Sequence, residues 1–338
     1  MHFNNYQSLE PATEGQPGKA LRSIPDRVEQ YGLTPPANSI LLDLGCHTGF
    51  FGLYFAPTLR HYYGVDSDAK AVAVFQAKAK ERGFTQHTVV CEKIHEALFM
   101  GLYGKCDTVL SLAAHVYVDM PMKTYAFLLF SFLKPGGLLY LEGHPKGFIG
   151  EPKAWDLLIE ELGKFLDVEE SREIKDRDLT RTLVIGKKPI GSGMAARTFR
   201  TSEGKIEKRY HKGIEASKDI LERQHWDKEV KALKLLAGRE HFPSVVEINY
   251  PSIFMKSCGV LVTKELLPEN WVEQVKEIEE SLEDLKLFHN DIKEDNICVR
   301  DGILYLLDFG LSSVGEATDP FLNSLTKVLR RVSNDLSS

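Results

Sequence analysis

The chain has 338 residues, of which 43% are hydrophobic and 27% are charged, and its formal net charge is −6. This length allows two domains that each bury a core, and the composition is ordinary for a globular protein. The acidic balance gives no electrostatic footprint for nucleic acid, so we expect no nucleic-acid partner.

We expect neither a signal peptide nor a membrane-spanning helix. The N-terminal sequence has no basic and apolar leader pattern, and the longest apolar run, residues 125–133, is far shorter than the ~20 residues of a membrane-spanning helix.

The first half of the chain alternates predicted strands with predicted helices. Strands are predicted at SILLDL, HYYGVDSD, HTVVCEK, CDTVLSLAA and LLYLEGHP, with helices between them. A turn is predicted at KPGG, a further helix at KAWDLLIEELGKFLDVEESREI, and a last strand at LTRTLVIGKK. Such alternation predicts a doubly wound parallel sheet, a Rossmann-like α/β domain, over residues 1–186.

The pattern changes in the second half, which we assign to an α+β domain over residues 187–338. GSGMAARTFRTSEGKIEKRYHK predicts a Gly-rich turn followed by a hairpin, and a helix follows in SKDILERQHWDKEVKALKLLAG. VVEIN and GVLVTKEL are predicted strands, and NWVEQVKEIEESLEDLKLF is an amphipathic helix. NICVRDGILYLLDFG predicts a second hairpin, and residues 319–334 predict a final short helix.

The first candidate site lies where the first predicted strand ends. LLDLGCHTGFFG places Asp43, Gly45 and Gly49 at the strand–helix turn, where glycines let a ligand approach the backbone closely. The spacing is neither that of dinucleotide binders nor that of a phosphate-binding P-loop. A carboxylate at Asp43 suits a ligand that carries an amino group. Asp66, at the end of the second strand, suits the two ribose hydroxyls, and Glu92, after the third strand, suits an adenine.

These motifs resemble those of the class I S-adenosylmethionine-dependent methyltransferases. The likeness rests on D-x-G-C-x-x-G, the following G-V-D and the FLKPGGLLYLE segment, and it covers about residues 20–186. It implies that Asp43 and the turn from Gly45 to Gly49 lie near the methionine end of the cofactor, Asp66 on the ribose and Glu92 near the adenine. A different α/β nucleotide-binding domain is the alternative.

The acceptor side of this predicted site has fewer signals. His115 follows the fourth strand, where acceptor sites of the resembled family lie, and it is a candidate general base or a structural residue. Arg22 and Arg27 either meet an anionic acceptor or are solvated.

The second candidate site is the cluster FHNDIKEDNICV followed by LLDFG. Phosphoryl transfer needs a carboxylate at the acceptor hydroxyl, cations on the phosphates and oxygen ligands for Mg²⁺. Asp291 suits the first role and Lys293 the second, while Asn296 and Asp308 supply the amide and carboxylate oxygens for the metal. The predicted hairpin between Asn296 and Asp308 brings these two ligands together.

Upstream residues fit the same chemistry. Gly191 and Gly193 open a turn suited to cover phosphates, Lys208 lies on a following strand with Lys205 and Arg209 as competitors, and Glu229 on the next helix suits a partner for the lysine. The order Gly-rich loop, Lys, Glu, HxDxKxxN, DFG resembles the protein-kinase-like fold, over about residues 187–315. The resemblance implies ATP and Mg²⁺ as ligands. No APE motif follows, which favours a small-molecule or glycan acceptor over a protein.

The order of the two domains resembles that of bifunctional kinase–methyltransferases that terminate bacterial O-antigen polysaccharides, without their long C-terminal coiled coil. The resemblance implies polysaccharide biosynthesis, with phosphorylation of an acceptor hydroxyl and methylation of the product. Alternatives are a methyltransferase whose kinase-like domain only binds nucleotide and regulates, and a non-enzymatic scaffold. Five cysteines without a CxxC pair favour reduced thiols and a cytoplasmic location, and the sequence does not specify an oligomeric state.

Overall fold

The computed structural model describes residues 23–95, 97–145, 151–176, 179–192, 195–201, 203–210, 216–315 and 324–334. The chain divides into two compact units, Met1–Pro189 and Ile190–Ser338. Arg22 and Gly193 lie outside the described residues.

The first unit alternates strands and helices up to its fifth strand. Its elements, in chain order, are α1 (Ile24–Tyr31), β1 (Ser39–Leu44), α2 (Phe50–Phe55), β2 (Leu59–Asp66), α3 (Ala69–Glu81), β3 (His87–Cys91), β4 (Cys106–Leu112), α4 (Met122–Phe132), β5 (Leu133–Glu142), α5 (Glu151–Gly163), β6 (Asp167–Asp176) and β7 (Leu179–Lys187). The predicted alternation of strands and helices is therefore present, and it builds one large mixed sheet.

The sheet has seven strands in the order β3-β2-β1-β4-β5-β7-β6. Strands β1 to β5 run parallel, while β7 pairs antiparallel with β5 and β6 pairs antiparallel with β7. The prediction of a wholly parallel sheet is therefore wrong at one edge. The cause is the β6–β7 hairpin, which returns the chain without a crossover helix.

Strand β6 was missed because its sequence, DVEESREIKD, is charged. The helix predicted over residues 153–174 ends at Gly163 instead, and the remainder forms the sheet edge, where charged side chains discourage pairing with other chains. The KPGG sequence is likewise not a turn before β5, because it already belongs to that strand.

Apolar side chains cover both faces of this sheet. Along β1, Leu42 and Leu44 face one core cluster, which includes Val109 and Tyr125, whereas Leu41 faces the other, with Tyr62. A strand buried on both faces reads as a continuous apolar run, which explains why SILLDL was recognisable as a strand.

The second unit begins with an antiparallel sheet and continues with helices and short strands. Its elements are β8 (Gly191–Ser192), β9 (Ala196–Arg200), β10 (Ile206–Tyr210), α6 (Ala216–Leu235), β11 (Val245–Asn249), β12 (Ser252–Met255), β13 (Val260–Leu261), α7 (Trp271–Asp284), β14 (Leu287–Phe288), β15 (Ile297–Arg300), β16 (Ile303–Leu306), β17 (Ser313–Val314) and α8 (Leu325–Asn334). Five strands pair in the order β11-β12-β10-β9-β8, three in the order β13-β15-β16, and β14 pairs with β17.

Two predicted hairpins are present in this unit. Strands β9 and β10 pair antiparallel at the hairpin predicted over SEGK, of which Ser202 lies outside the described residues, and β15 pairs with β16 through Asp301 and Gly302, which both have positive φ as two-residue hairpin turns require. Three details differ from prediction. Gly191 lies in strand β8 rather than in a turn, β12 was missed, and the strand predicted at GVLVTKEL is confined to β13 before a 3₁₀ turn at Lys264–Leu266.

A buried ion pair joins the first helix to the sheet. Glu142, the last residue of β5, is fully buried, and its carboxylate accepts hydrogen bonds from the Arg27 guanidinium and the Tyr31 hydroxyl of α1. Arg181 of β7 approaches the other carboxylate oxygen, with 3.0 Å between Nη1 and Oε1. Two buried guanidinium groups therefore share one carboxylate, which ties α1, β5 and β7 together.

We predict that Glu142→Ala destabilises the protein by about 3–5 kcal/mol, because two buried guanidinium groups lose this carboxylate. The free energy of unfolding, measured by urea denaturation, checks the prediction. Glu81→Ala is the control, since Glu81 forms an exposed ion pair with Lys78 and its removal should change little. Equal stability of the two variants would contradict the structural role assigned to Glu142.

Candidate active sites

The turn between β1 and α2 forms the floor of the first candidate site. Gly45 and Gly49 have φ of 77° and 62°, in the left-handed region that favours glycine. The N–H groups of Gly45 and Cys46 both donate to the carbonyl oxygen of Val65 at 2.9 Å, which holds the turn against the end of β2. A Cβ on Gly49 would lie 2.4 Å from a ring carbon of Phe75, so this glycine is also required by packing.

Asp43 stands just before this turn, with its carboxylate buried. The Tyr62 hydroxyl of β2 donates to Asp43 Oδ2 at 3.1 Å. Burial raises the pKa of the Asp43 carboxyl to about 7, although the Tyr62 hydrogen bond opposes the rise. A buried carboxylate in this state gains free energy when a cationic group reaches it.

Asp66, at the end of β2, holds the same turn from the other side. Its Oδ2 accepts the His47 N–H at 2.7 Å, and its Oδ1 accepts the Asp68 N–H at 2.9 Å. Each carboxylate oxygen has a second acceptor direction, so these bonds leave capacity for hydroxyl donors. The structure therefore gathers Asp43, Asp66 and the glycine turn at the carboxyl ends of β1 and β2.

Glu92 and His115 lie at the ends of neighbouring strands. Glu92 follows β3, its N–H donates to the Asp66 carbonyl at 3.0 Å, and its side chain bonds His95 at 2.9 Å. His115 follows β4 in a 3₁₀ turn and is fully buried, with its ring 5.6 Å from that of His144 and 5.3 Å from that of Trp155. Direct contact between His115 and an acceptor would require this aromatic group to rearrange.

Arg27 is not solvated. It is buried and bonded to Glu142, and its guanidinium lies over the rings of Tyr31 and Phe51, at 5.0 and 5.7 Å from their centroids. The alternative of a solvated Arg27 is therefore wrong, because a carboxylate distant in sequence binds its guanidinium, while contact with an anionic acceptor stays a prediction.

The second candidate site centres on the ammonium group of Lys208. Its Nζ donates to Glu229 Oε2 of α6 at 2.5 Å and to Asp308 Oδ1 at 2.8 Å. The Tyr210 hydroxyl donates to the same Glu229 oxygen. Lys205 and Arg209, the competing cations, bond Glu203 and Glu207 instead, so Lys208 is the cation at the centre of this cluster.

Charge and burial oppose each other in this cluster. Burial by itself would lower the pKa of Lys208, but Glu229 and Asp308 raise it above its usual value. Burial likewise works to raise the pKa of Asp308, and the Lys208 charge more than compensates, so this pKa is lowered. Both groups therefore stay ionised, and their mutual attraction holds the site together.

The segment around Asp291 forms a second group of polar side chains. Lys293 Nζ donates to Asp291 Oδ2 at 2.7 Å, and Asn296 Nδ2 donates to the Asp291 carbonyl at 2.8 Å and to its Oδ2 at 3.1 Å. His289 is buried, with its Nε2 2.7 Å from the Leu307 carbonyl and its Nδ1 accepting the Asp291 N–H at 3.2 Å. Burial lowers the pKa of His289, so its ring is neutral and can accept that N–H.

The β15–β16 hairpin joins the two groups. The Leu307 N–H donates to the Asn296 carbonyl at 2.8 Å, so Asn296 and Asp308 lie at the same end of the hairpin, and Asp308 has a φ of 65°. The structure thus brings together Lys208, Glu229 and Asp308, and separately Asp291, Lys293 and Asn296. Exposed Gly191 lies in a strand, and Gly193 is outside the described residues.

Sequence reasoning missed the tyrosines that support both sites. Tyr62 and Tyr210 each donate to a buried carboxylate. Tyr62 lies two residues before the G-V-D motif on β2, and Tyr210 lies two residues after Lys208 on β10. Alternation along β10 places Lys208 and Tyr210 on one face, which is the only signal that the sequence offers. Nothing in the sequence pairs Tyr62 with Asp43.

Comparison with known proteins identifies a methyltransferase domain in the first unit. Residues 41–137 match the family model described as "Methyltransferase domain", and this range contains the glycine turn, Asp43 and Asp66. The match agrees with the Rossmann-like mixed sheet and supports S-adenosylmethionine as the cofactor. No curated protein matches the chain.

Several solved structures resemble the chain at low identity. The bifunctional kinase-methyltransferase WbdD is 19% identical, with 98% of this chain and 84% of that chain covered and a TM-score of 0.45. A SAM-dependent methyltransferase from Aquifex aeolicus is 16% identical, with 49% and 89% covered and a TM-score of 0.39. The [4+2]-cyclase SpnF is 16% identical, with 48% and 78% covered and a TM-score of 0.40. TM-scores this low establish neither a shared fold nor a shared activity.

The described residues contain neither a helix suited to span a membrane nor a cluster suited to bind a metal ion. No helix in these ranges is both long and apolar enough to cross a bilayer. In the same part of the chain, no three His, Cys, Asp or Glu side chains come together as a metal-binding group.

We predict that Asp43→Asn stabilises the unliganded protein at pH 8 by roughly 1–3 kcal/mol and weakens S-adenosylmethionine binding. The folded-state pKa of Asp43 lies above its unfolded value. The contribution of this group to the stability of the folded protein is therefore lost as pH rises from about 4 to about 7. An asparagine does not ionise, so the free-energy cost of a buried charge at position 43 is absent from the variant.

Thermal unfolding at pH 5 and pH 8 tests this prediction, with the exposed Asp119→Asn as control. The advantage of Asp43→Asn over wild type should grow between these pH values. A variant that is less stable than wild type at pH 8 would contradict it.

Proposed function

We propose that the chain is a bifunctional enzyme, an S-adenosylmethionine-dependent methyltransferase and an ATP-dependent phosphotransferase. It phosphorylates a hydroxyl of a glycan or another small molecule and then methylates the product. The observation that carries the phosphotransferase half is the Lys208 ammonium group, held by Glu229 and Asp308 in a unit that also presents Asp291, Lys293 and Asn296.

The methyltransferase half rests on the family match and on the residues at the ends of β1 and β2. Asp43 would meet the cofactor's ammonium group, Asp66 its ribose hydroxyls and Glu92 its adenine, while the glycine turn lets the cofactor approach the backbone. Bound S-adenosylmethionine supplies an electrophilic methyl group. The protein's part is to align an acceptor oxygen with that methyl group and to exclude water.

In the phosphotransferase half, each polar group has a distinct task. Asp291 accepts the proton of the acceptor hydroxyl, and Lys293 neutralises charge on the transferring phosphoryl group. Lys208 orients the phosphates of ATP while Glu229 holds it in place. Asp308 and Asn296 present carboxylate and amide oxygens, the hard ligands that Mg²⁺ prefers, and the metal would neutralise phosphate charge there.

The order of the two reactions follows from the nucleophile. A sugar hydroxyl needs a base to remove its proton, and the sequence candidate, His115, is buried among aromatic rings. A phosphate monoester has its second pKa at about 6 and is anionic at neutral pH, so its oxygen attacks a sulfonium methyl without a base. The phosphotransferase half therefore creates the nucleophile for the methyltransferase half.

A methyltransferase with a regulatory nucleotide-binding unit is the second candidate. Lys208 bonds Asp308 directly, so the cation that would orient phosphates already has a carboxylate partner. If this contact persists when nucleotide binds, the second unit would bind ATP without turnover. We place the protein in the cytoplasm, in keeping with five cysteines that form no CxxC pair, and its net charge of −6 favours no nucleic-acid partner.

We predict that Asp308→Asn abolishes Mg²⁺-dependent phosphoryl transfer and leaves S-adenosylmethionine affinity unchanged, because the two sites belong to separate units. Calorimetry with each ligand and an ATP-turnover assay check this. Asp301→Asn makes the same chemical change in an exposed hairpin turn and should retain both functions. Loss of both affinities in a folded Asp308→Asn variant would show that the units do not act independently.

We also predict that methyl transfer to sugars requires ATP and Asp291. Wild type, Asp291→Asn and the exposed control Asp295→Asn are incubated with labelled S-adenosylmethionine and a panel of sugars, with and without ATP. Label should enter the acceptor with wild type and Asp295→Asn only when ATP is present. Presenting the matching sugar phosphates should restore transfer by Asp291→Asn. Labelling without ATP would overturn the proposed order.

A further inference from the structure

The Tyr62 side chain occupies a slot that two glycines keep open. Its ring is fully buried on the face of β2 that packs against Phe75, with ring centroids 5.7 Å apart. A Cβ on Gly52 would lie 2.6 Å from the Tyr62 ring, and one on Gly64 would lie 3.1 Å from both a ring carbon and the hydroxyl oxygen. Any larger residue at Gly52 would displace the ring.

The register of the sheet directs this ring toward Asp43. Leu41 pairs with Tyr62 and Asp43 pairs with Gly64, so all four residues share one face of the sheet. Because Gly64 has no side chain, the ring of Tyr62 extends past it and places its hydroxyl 3.1 Å from Asp43 Oδ2. The hydrogen bond therefore requires a residue without a side chain at position 64, beside the carboxylate.

Four titratable groups surround Asp43, and only some of them favour its ionised form. Burial and the neighbouring Asp66 carboxylate disfavour ionisation, whereas the Tyr62 hydrogen bond and the Arg27 charge favour it. Cys46 remains a neutral thiol because burial raises its pKa well above the usual value. Tyr62 is a donor throughout the physiological range, because burial raises its pKa as well. Among the described residues, Tyr62 is thus the side chain that donates a hydrogen bond to this carboxylate.

We infer that Tyr62 is a positioning residue of the cofactor site, whose hydroxyl holds the Asp43 carboxylate ionised and oriented for the ammonium group of S-adenosylmethionine. This inference rests on the proposed cofactor site. The hydrogen bond to Oδ2 fixes the plane of the carboxylate and thereby the direction of Oδ1. It also replaces part of the hydration that the carboxylate loses on burial, so it favours the ionised form before the cofactor arrives.

The test substitutes Tyr62→Phe, which keeps the ring in its glycine slot and removes only the hydroxyl. Tyr125→Phe is the matched control, because Tyr125 is another fully buried tyrosine whose hydroxyl bonds Ser111 at 2.8 Å, in the core cluster on the other face of the sheet. The affinity of the full-length protein for S-adenosylmethionine is measured by calorimetry between pH 6 and pH 9, and folding is monitored by thermal unfolding.

Tyr62→Phe should weaken binding at pH 7 by roughly 10- to 150-fold, the factor expected for loss of one hydrogen bond to a charged group. Binding requires ionised Asp43, so affinity should rise with pH, and this rise should move to higher pH in the variant because a contribution that lowers the Asp43 pKa is gone. The cofactor's own titration is common to all variants and cancels in the comparison. Tyr125→Phe should match wild type in both respects.

A double-mutant cycle separates positioning from a structural role. In an Asp43→Asn background, adding Tyr62→Phe should cost little further affinity and should not move the pH profile. Equal losses in both backgrounds, or an unshifted profile in Tyr62→Phe, would overturn the inference while leaving the proposed cofactor intact. Wild type that binds no S-adenosylmethionine would instead overturn the proposed function and the inference with it.

Discussion

A carboxylate buried away from water is unfavourable unless hydrogen-bond donors or cations surround it, and both units of this protein depend on satisfying that constraint. Glu142, Asp43 and Glu229 are each buried, and each accepts a hydrogen bond from a tyrosine hydroxyl. The three carboxylates differ in the cations that lie near them. Two arginines accompany Glu142 and one lysine accompanies Glu229, whereas in the described part of the chain Arg27 is the cation that acts on Asp43, without a direct bond to it.

That difference supports a structural role for Glu142 and the proposed ligand-binding roles of Asp43 and Glu229. Each carboxylate oxygen of Glu142 lies beside an arginine and the pairs join α1 to the sheet, so loss of this charge would leave two buried guanidinium groups without it. Burial raises the pKa of Asp43 to about 7, and the ammonium group of the proposed cofactor would give this carboxylate a cationic partner. Glu229 is intermediate, because its partner Lys208 is shared with Asp308. An ammonium group that reached Asp43 would offset the cost of ionising this buried carboxylate, and this favours the proposed cofactor site.

Local sequence patterns predicted the parts of the structure that depend on nearby residues. The strand–helix alternation of the first unit, the glycine turn and the hairpin at Asp301 and Gly302 all follow from short-range signals. Strand β6 was missed because a charged edge strand has no apolar alternation, and only pairing with β7 stabilises it. The environment of Arg27 was missed for a related reason, since its partner Glu142 lies 115 residues away. The Tyr62–Asp43 bond depends on glycines at two further positions, which no local pattern reveals.

We propose that one chain carries two independent adenosine-ligand sites, one in each unit. Calorimetric titration of MgATP into the protein, first alone and then saturated with S-adenosylmethionine, is the most direct test. We expect one MgATP site per chain with the same affinity in both titrations, and the reverse order should give one S-adenosylmethionine site. Failure to bind MgATP, or its displacement by S-adenosylmethionine, would contradict the two-site proposal.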